Sequence, residues 1–164
     1  REILRAAIEN STDICESTYG ISPLVEVEYL NNIELPYIPS HLYYVLFEIM
    51  KNSLRATVEF NSALKDDDNF PPIKVVISGG KDVVIKISDL GGGICSDDID
   101  KVWYYSYTSV KHNLNMIKND FNRTSPLAGF GYGLSISRTI IRFLGGDIKL
   151  MSVEGHGTDV YIYL

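Results

Sequence analysis

Residues 40–57 read SHLYYVLFEIMKNSLRAT, and the periodicity of this stretch decides how the rest of the chain is arranged around it. On a helix, Tyr44, Glu48, Lys51, Asn52 and Arg55 fall in one narrow stripe, while Leu42, Val45, Leu46, Phe47, Ile49, Met50, Leu54 and Val58 cover most of the remaining surface. A helix apolar nearly all round is mostly buried. Its polar stripe must then face a partner, a cavity or a ligand, because an unpaired buried carboxylate is costly. The plainer alternative is a partly solvated face on which Glu48 pairs with Lys51, Asn52 or Arg55. The spacing predicts a helix capped by Ser40, just after Pro39, that runs to about Asn61.

Upstream, Ile3, Leu4, Ala7, Ile8 and Ile14 recur at helical spacing until Gly20, and Val25, Val27 and Tyr29 then alternate with Glu26 and Glu28. That is helix, turn, strand. Downstream, the polar stretch KDDDNFPP precedes two strands, Ile73 to Ile77 and Val83 to Ile87, joined by a hairpin signal. A further pair, Ile148 to Val153 and Thr158 to Tyr163, flanks Glu-Gly-His-Gly, so the sheet is expected to be largely antiparallel. Between the pairs lie a short helix near Asp97 to Tyr104, a segment from about Ser106 to Ala128 with little periodicity, and a helix from about Leu134 to Leu144 closed by Gly145 and Gly146. An unpatterned stretch longer than about 15 residues inside a compact domain is usually functional or disordered.

A chain of 164 residues fits one domain, and 45% hydrophobic with 22% charged residues is a globular composition. No apolar run approaches the roughly 20 residues needed to span a bilayer. The 15 Lys and Arg against 21 Asp and Glu, a formal charge of -6, disfavour broad attraction to nucleic-acid phosphates. Cys15 and Cys95 stand far apart with no partner at metal spacing, so neither a disulfide framework nor a zinc site is indicated and a reducing compartment fits best. The chain opens in mid-helix and stops inside a strand pattern, as a piece of a longer protein would.

Two more features carry chemistry. Asp89 ends a strand and is followed by Leu90 and Gly91 to Gly93; a carboxylate there can accept a hydrogen bond from a ligand amine, and the glycines let a flat ring approach the backbone. The bland reading is a strand ending in a glycine turn. Gly129, Gly131 and Gly133 alternate with Phe130 and Tyr132 just before a helix, where free N–H groups and the positive dipole end make a phosphate cradle. The spacing matches neither the P-loop nor the dinucleotide fingerprint, because no Gly-x-x-x-x-Gly-Lys-Ser/Thr occurs and Leu134 stands where a third fingerprint glycine would. A glycine hinge is compatible with the same residues.

The order of these features, an acidic and Asn-bearing helix, then Asp-Gly-Gly-Gly, then Gly-x-Gly-x-Gly before a helix, resembles the nucleotide domain shared by DNA gyrase, heat-shock chaperones and histidine kinases, the GHKL superfamily. Within it, HLYYVLFEIMKNSLRAT, ISDLGGGI, PLAGFGYGLSISR and EGHGTDVYIYL resemble the mitochondrial protein kinases that act on 2-oxo-acid dehydrogenases. The resemblance covers about residues 20–164. It implies an α/β (α+β) two-layer sandwich, with a mixed, largely antiparallel sheet and helices packed on one face. Residues 1–19 would be the end of a preceding helical domain, 20–164 the ATP-binding domain, and about 106–128 an ATP lid.

Carried over residue by residue, the resemblance implies that Glu48 is the general base and Asn52 a Mg2+ ligand, with Lys51 and Arg55 beside the phosphates of ATP. Asp89 would hold the adenine amino group, with Gly91 and Gly93 beside it. Gly129, Phe130, Gly131, Tyr132, Gly133 and Leu134 match the phosphate-binding glycine box, Thr108 and Ser109 polar lid residues, and Thr158 a threonine near the adenine. The implied activity is phosphorylation and inhibition of a dehydrogenase E1 subunit in the mitochondrial matrix, with the E2 lipoyl domain and a second copy of the full-length chain as partners. Gly-Phe-Gly-Tyr-Gly and Phe47 lean towards pyruvate rather than branched-chain dehydrogenase. The family's pattern is broken by Tyr44 where some members have His, with His41 one turn earlier, by Leu90 in place of Arg, and by Ser135 in place of Pro. A sensor histidine kinase domain and a non-catalytic ATP-dependent assembly switch stay open as alternatives. Trp103, Tyr104, Tyr105 and Tyr107 are expected to be packing at the lid hinge, and His112, His156 and Cys95 carry no distinctive signal.

Overall fold

The computed structural model describes residues 1–31, 33, 35–62, 69–80, 82–105 and 131–164. Helix α1 spans Glu2–Tyr19 and strand β1 Val25–Tyr29. Helix α2, Pro39–Ser62, carries the deciding stretch. Strands β2, Ile73–Gly79, and β3, Val83–Asp89, follow, then a 3-10 turn at Lys101–Trp103. Helix α3, Gly133–Phe143, and strands β4, Asp147–Val153, and β5, Gly157–Tyr163, complete the order.

The strands form one sheet in the order β1-β2-β3-β5-β4. The β1/β2 pair is parallel, and β2/β3, β3/β5 and β4/β5 are antiparallel, so the sheet is mixed and largely antiparallel as expected. Ile73, Val75 and Ile77 of β2, Val83, Ile85 and Ile87 of β3, Ile148 of β4, and Val160 and Ile162 of β5 all turn into one core. Into the same core α2 sends Val45, Leu46, Ile49, Met50, Leu54 and Val58, which accounts for its nearly all-round apolar wheel. Full burial of each such side chain stabilises the fold by roughly 1.5–3 kcal/mol. Helix α2 lies between α1 and α3 and across β3, and Leu4, Ala7 and Cys15 of α1 belong to the same core cluster.

Three local expectations shift. Helix α2 begins at Pro39, which puts Ser40 inside the first turn rather than at the cap; proline suits a first position because its fixed φ and missing N–H cost nothing there. Helix α3 begins one residue early, at Gly133. The predicted short helix near Asp97 to Tyr104 is a turn over residues 96–100 followed by the 3-10 segment, held by Lys101 N–H to Asp98 O and Tyr104 N–H to Lys101 O. So few residues cannot offset the cost of nucleating an α-helix.

Candidate functional site

A cavity of about 590 Å³ opens between α2, the loop after β3 and the start of α3, floored by β4 and β5. From α2 it takes Glu48, Asn52 and Arg55, from the loop Asp89, Gly91 and Gly93, from the α3 approach Gly131, Gly133 and Leu134, and from the floor Thr158. Of the residues singled out from sequence, Lys51 and Tyr132 do not line it. Thr108, Ser109, Gly129, Phe130 and the expected lid lie outside the described residues.

Asp89 is the last residue of β3 and opposes Thr158 of β5. Its carboxylate is 7% exposed and accepts hydrogen bonds from Ser53 Oγ at 2.9 Å, Gly91 N–H at 3.0 Å and Thr158 N–H at 3.3 Å. Burial pushes its carboxyl above the usual range, and the three donors pull the other way. Around it, Ser152 Oγ lies 3.0 Å from Thr158 Oγ1 and accepts from Ile94 N–H at 2.8 Å, while Asn61 Nδ2 donates to Leu90 O at 3.1 Å. The glycine loop is thus tied to both α2 and β4. Gly93 has φ +68° and a Cβ there would overlap Val153 O, so this residue cannot carry a side chain.

Glu48 sits at the opposite end of the cavity. Its Oε1 accepts from Lys51 Nζ at 2.9 Å, and this pair is largely buried. A Cβ on Gly133 would overlap Glu48 Oε2, so the first residue of α3 is a glycine that leaves room for the carboxylate. Lys51, with Nζ also 5.4 Å from the Phe47 ring centroid, serves Glu48 rather than the open cavity. Asn52 is exposed on the cavity side, and its amide has no hydrogen-bond partner among the described residues. Arg55 Nε contacts Glu59 Oε1 at 3.1 Å, and that same oxygen accepts from Tyr19 OH at 2.7 Å. No group of three or more His, Cys, Asp or Glu side chains capable of holding a metal occurs among the described residues. A Mg2+ ion shared with phosphates needs only one or two protein oxygens, and the unpartnered Asn52 amide with Glu48 one turn away fits that requirement.

At the positions that depart from the family pattern, burial and the charge of Glu48 push the Tyr44 phenol up. His41 Nδ1 is buried without a hydrogen-bond partner among the described residues. Leu90 is exposed, and Ser135 is buried with its hydroxyl donating to Tyr132 O at 3.0 Å. Trp103 is partly buried against the core and Tyr104 and Tyr105 are exposed, while Tyr107 and the lid whose hinge they were expected to pack lie outside the described residues.

Sequence reasoning missed Ser53, Ala56 and Phe60, which join the cavity because it takes a wider face of α2 than the narrow polar stripe. Ser53 had a signal, a lone hydroxyl on the apolar side that needs a buried partner. Ser152 had none, since its role depends on the β4/β5 register.

The description of histidine kinase-, DNA gyrase B-, and HSP90-like ATPases matches residues 37–164. The chain belongs to that ATPase family, and ATP is the ligand class its fold serves. Among curated proteins it is similar to a mitochondrial [pyruvate dehydrogenase (acetyl-transferring)] kinase of Schizosaccharomyces pombe, 46% identical over 99% of this chain and 39% of the relative. Isozyme 3 of Homo sapiens is 44% identical over 99% of this chain and 40% of its own length, and the Arabidopsis thaliana kinase 37% identical over 99% and 45%. The chain therefore spans less than half the length of these relatives.

Proposed function

We propose that this chain is the ATP-binding catalytic domain of a mitochondrial serine kinase that phosphorylates, and so inhibits, the E1 component of a 2-oxo-acid dehydrogenase, pyruvate dehydrogenase in the first place. The observation that carries the reading is one cavity with a buried, multiply hydrogen-bonded Asp89 at one end and Glu48 beside a glycine helix start at the other. The names of its relatives supply the substrate class.

In this reading Asp89 accepts a hydrogen bond from the adenine amino group, with its other acceptor sites already filled by Ser53, Gly91 and Thr158. Gly91, Gly93 and Thr158 flank the base. The N-terminal N–H groups of α3 receive phosphate oxygens, with Gly129, Phe130, Gly131, Tyr132, Gly133 and Leu134 assigned to the glycine box by the family resemblance. Thr108 and Ser109 belong to the lid. Arg55 neutralises phosphate charge, and Lys51 contributes by holding Glu48 Oε1. Asn52 would hold a Mg2+ ion, which supplies charge neutralisation on the phosphates when bound. Glu48 takes the proton of the substrate serine as that hydroxyl oxygen bonds to the γ-phosphorus and the bond to the departing ADP oxygen breaks, so the products are phosphoserine and ADP. The full-length protein is further proposed to bind an E2 lipoyl domain, to form a homodimer and to reside in the mitochondrial matrix, with residues 1–19 ending a preceding helical domain.

The test is phosphorylation of purified dehydrogenase E1 by the full-length protein. Acid-stable phosphoserine is expected, with Glu48→Gln lowering its rate about 100-fold or more while ATP still binds. Acid-labile phosphohistidine would favour the sensor-kinase alternative, and ATP binding with no transfer to any E1 would favour the assembly switch.

A further inference from the structure

Arg138 lies in α3 outside the cavity, and its guanidinium carbon stands 4.2 Å from the centroid of the Trp103 ring. Its Nε donates to Asp147 Oδ1 at 3.2 Å. Asp147, the first residue of β4, also accepts from Arg142 Nε of α3 at 2.8 Å and from the N–H of its neighbour Ile148 at 2.9 Å, so the carboxylate is held from both helix and strand and steers Arg138 towards the indole. Trp103 closes the 3-10 turn. Val102 of that turn and Asp98 of the preceding turn line the nucleotide cavity. A 3-10 turn of three residues has little stability of its own, and this one packs against α3. Within the segment Lys101 Nζ pairs with Asp98 Oδ1 at 2.7 Å and the Val102 N–H donates to Asp98 O, and the Trp103 contact with Arg138 ties this wall to α3.

We propose that Arg138 is a positioning residue for the nucleotide cavity: steered by Asp147 and stacked on Trp103, it fixes the wall that Asp98 and Val102 present to bound ATP. The proposal rests on the cavity being the ATP site. A planar guanidinium can stack on an indole and donate in its own plane at the same time, which a lysine ammonium cannot do. The function is thus specific to Arg at this position and to an aromatic ring at 103.

Trp103 is the chain's single tryptophan, so its fluorescence reports the stack directly. Calorimetric ATP titration is to be measured on wild type, Arg138→Lys, Arg138→Gln, Trp103→Phe, Trp103→Ala and the Arg138→Gln/Trp103→Ala double variant, and acrylamide quenching on wild type, Arg138→Lys and Arg138→Gln, which keep the tryptophan. Arg138→Gln and Trp103→Ala are each expected to weaken ATP binding about threefold to tenfold, the scale of one partly shielded cation–π contact. The double variant is expected to be no weaker than either, Trp103→Phe to stay within about twofold of wild type, and Arg138→Lys to resemble Arg138→Gln. ATP is expected to protect Trp103 from quenching in wild type and not in Arg138→Gln. Should Arg138→Gln fail to fold, the contrast between Trp103→Phe and Trp103→Ala decides. Wild-type affinity in Arg138→Gln, additive losses in the double variant, or equal affinity of Trp103→Phe and Trp103→Ala would overturn the positioning role and leave the ATP site standing. Absence of ATP binding by wild type would overturn both.

Discussion

At the residue scale, the adenine-binding role proposed for Asp89 comes with a cost in stability. A carboxyl whose folded pKa is raised by burial makes the fold less stable as pH rises through that pKa, so ionised Asp89 costs stability at neutral pH. Asparagine can keep the network, accepting from Gly91 and Thr158 through its oxygen and donating to the Ser53 hydroxyl through its amide. Asp89→Asn is therefore expected to leave the melting temperature at pH 7 unchanged or higher while removing the acceptor proposed for adenine; a scanning calorimeter and an ATP titration check the two halves separately. Asp89 was legible in the sequence because a strand ending in an acid before three glycines has few structural uses. Its partners were not, since Ser53 and Thr158 reach it only through the packing of α2 on β3 and the β3/β5 register.

The longer helices and the strands were read well from periodicity, and the errors fell where elements begin and at the short helix expected near Asp97 to Tyr104, which is a turn and a 3-10 segment. Pro39 displaced Ser40 as the start of α2 because proline suits the first helical position, and α3 gained Gly133, where the absence of a Cβ leaves room for Glu48. The loop between β3 and the 3-10 turn gives a prediction at this scale. Gly93→Ala must adopt φ +68° and push against Val153 O, so it is expected to lower unfolding stability by about 1–3 kcal/mol in urea titrations. The α3/β4 junction gives another. The hydrogen bond from Arg142, with help from Arg138 and the Ile148 N–H, lowers the Asp147 carboxyl to about 2. A depressed carboxyl contributes stability that is fully present above its unfolded pKa, near 3.9, and is lost as pH falls towards about 2. Urea midpoints measured from pH 5 down to pH 2 should fall less steeply for Asp147→Asn than for wild type.

At the scale of the whole molecule, one sheet with α2 and α3 packed on it brings an acidic helix stripe, an aspartate at a strand end and a glycine helix start, far apart in sequence, around one cavity. All three were visible as motifs. Their convergence on one site was implied by the family resemblance alone, because it follows from β5 inserting between β3 and β4, a topology no local pattern encodes. The 164-residue chain is expected to bind ATP in a Mg2+-dependent manner yet to phosphorylate E1 at a small fraction of the full-length rate, since it spans less than half the length of its kinase relatives. Side-by-side kinase assays of the two forms check this. The central claim, that Asp89 reads adenine in this cavity, is tested most directly by titrating ATP and GTP into the wild-type chain and into Asp89→Asn. The guanine carbonyl would meet the Asp89 carboxylate as a second acceptor, so ATP is expected to bind wild type at least tenfold more tightly than GTP, on the scale of about 1.5–3 kcal/mol for a hydrogen bond to a charged group. Asp89→Asn should lose that preference; equal binding of the two nucleotides by wild type, or an undiminished preference in the variant, would contradict the account.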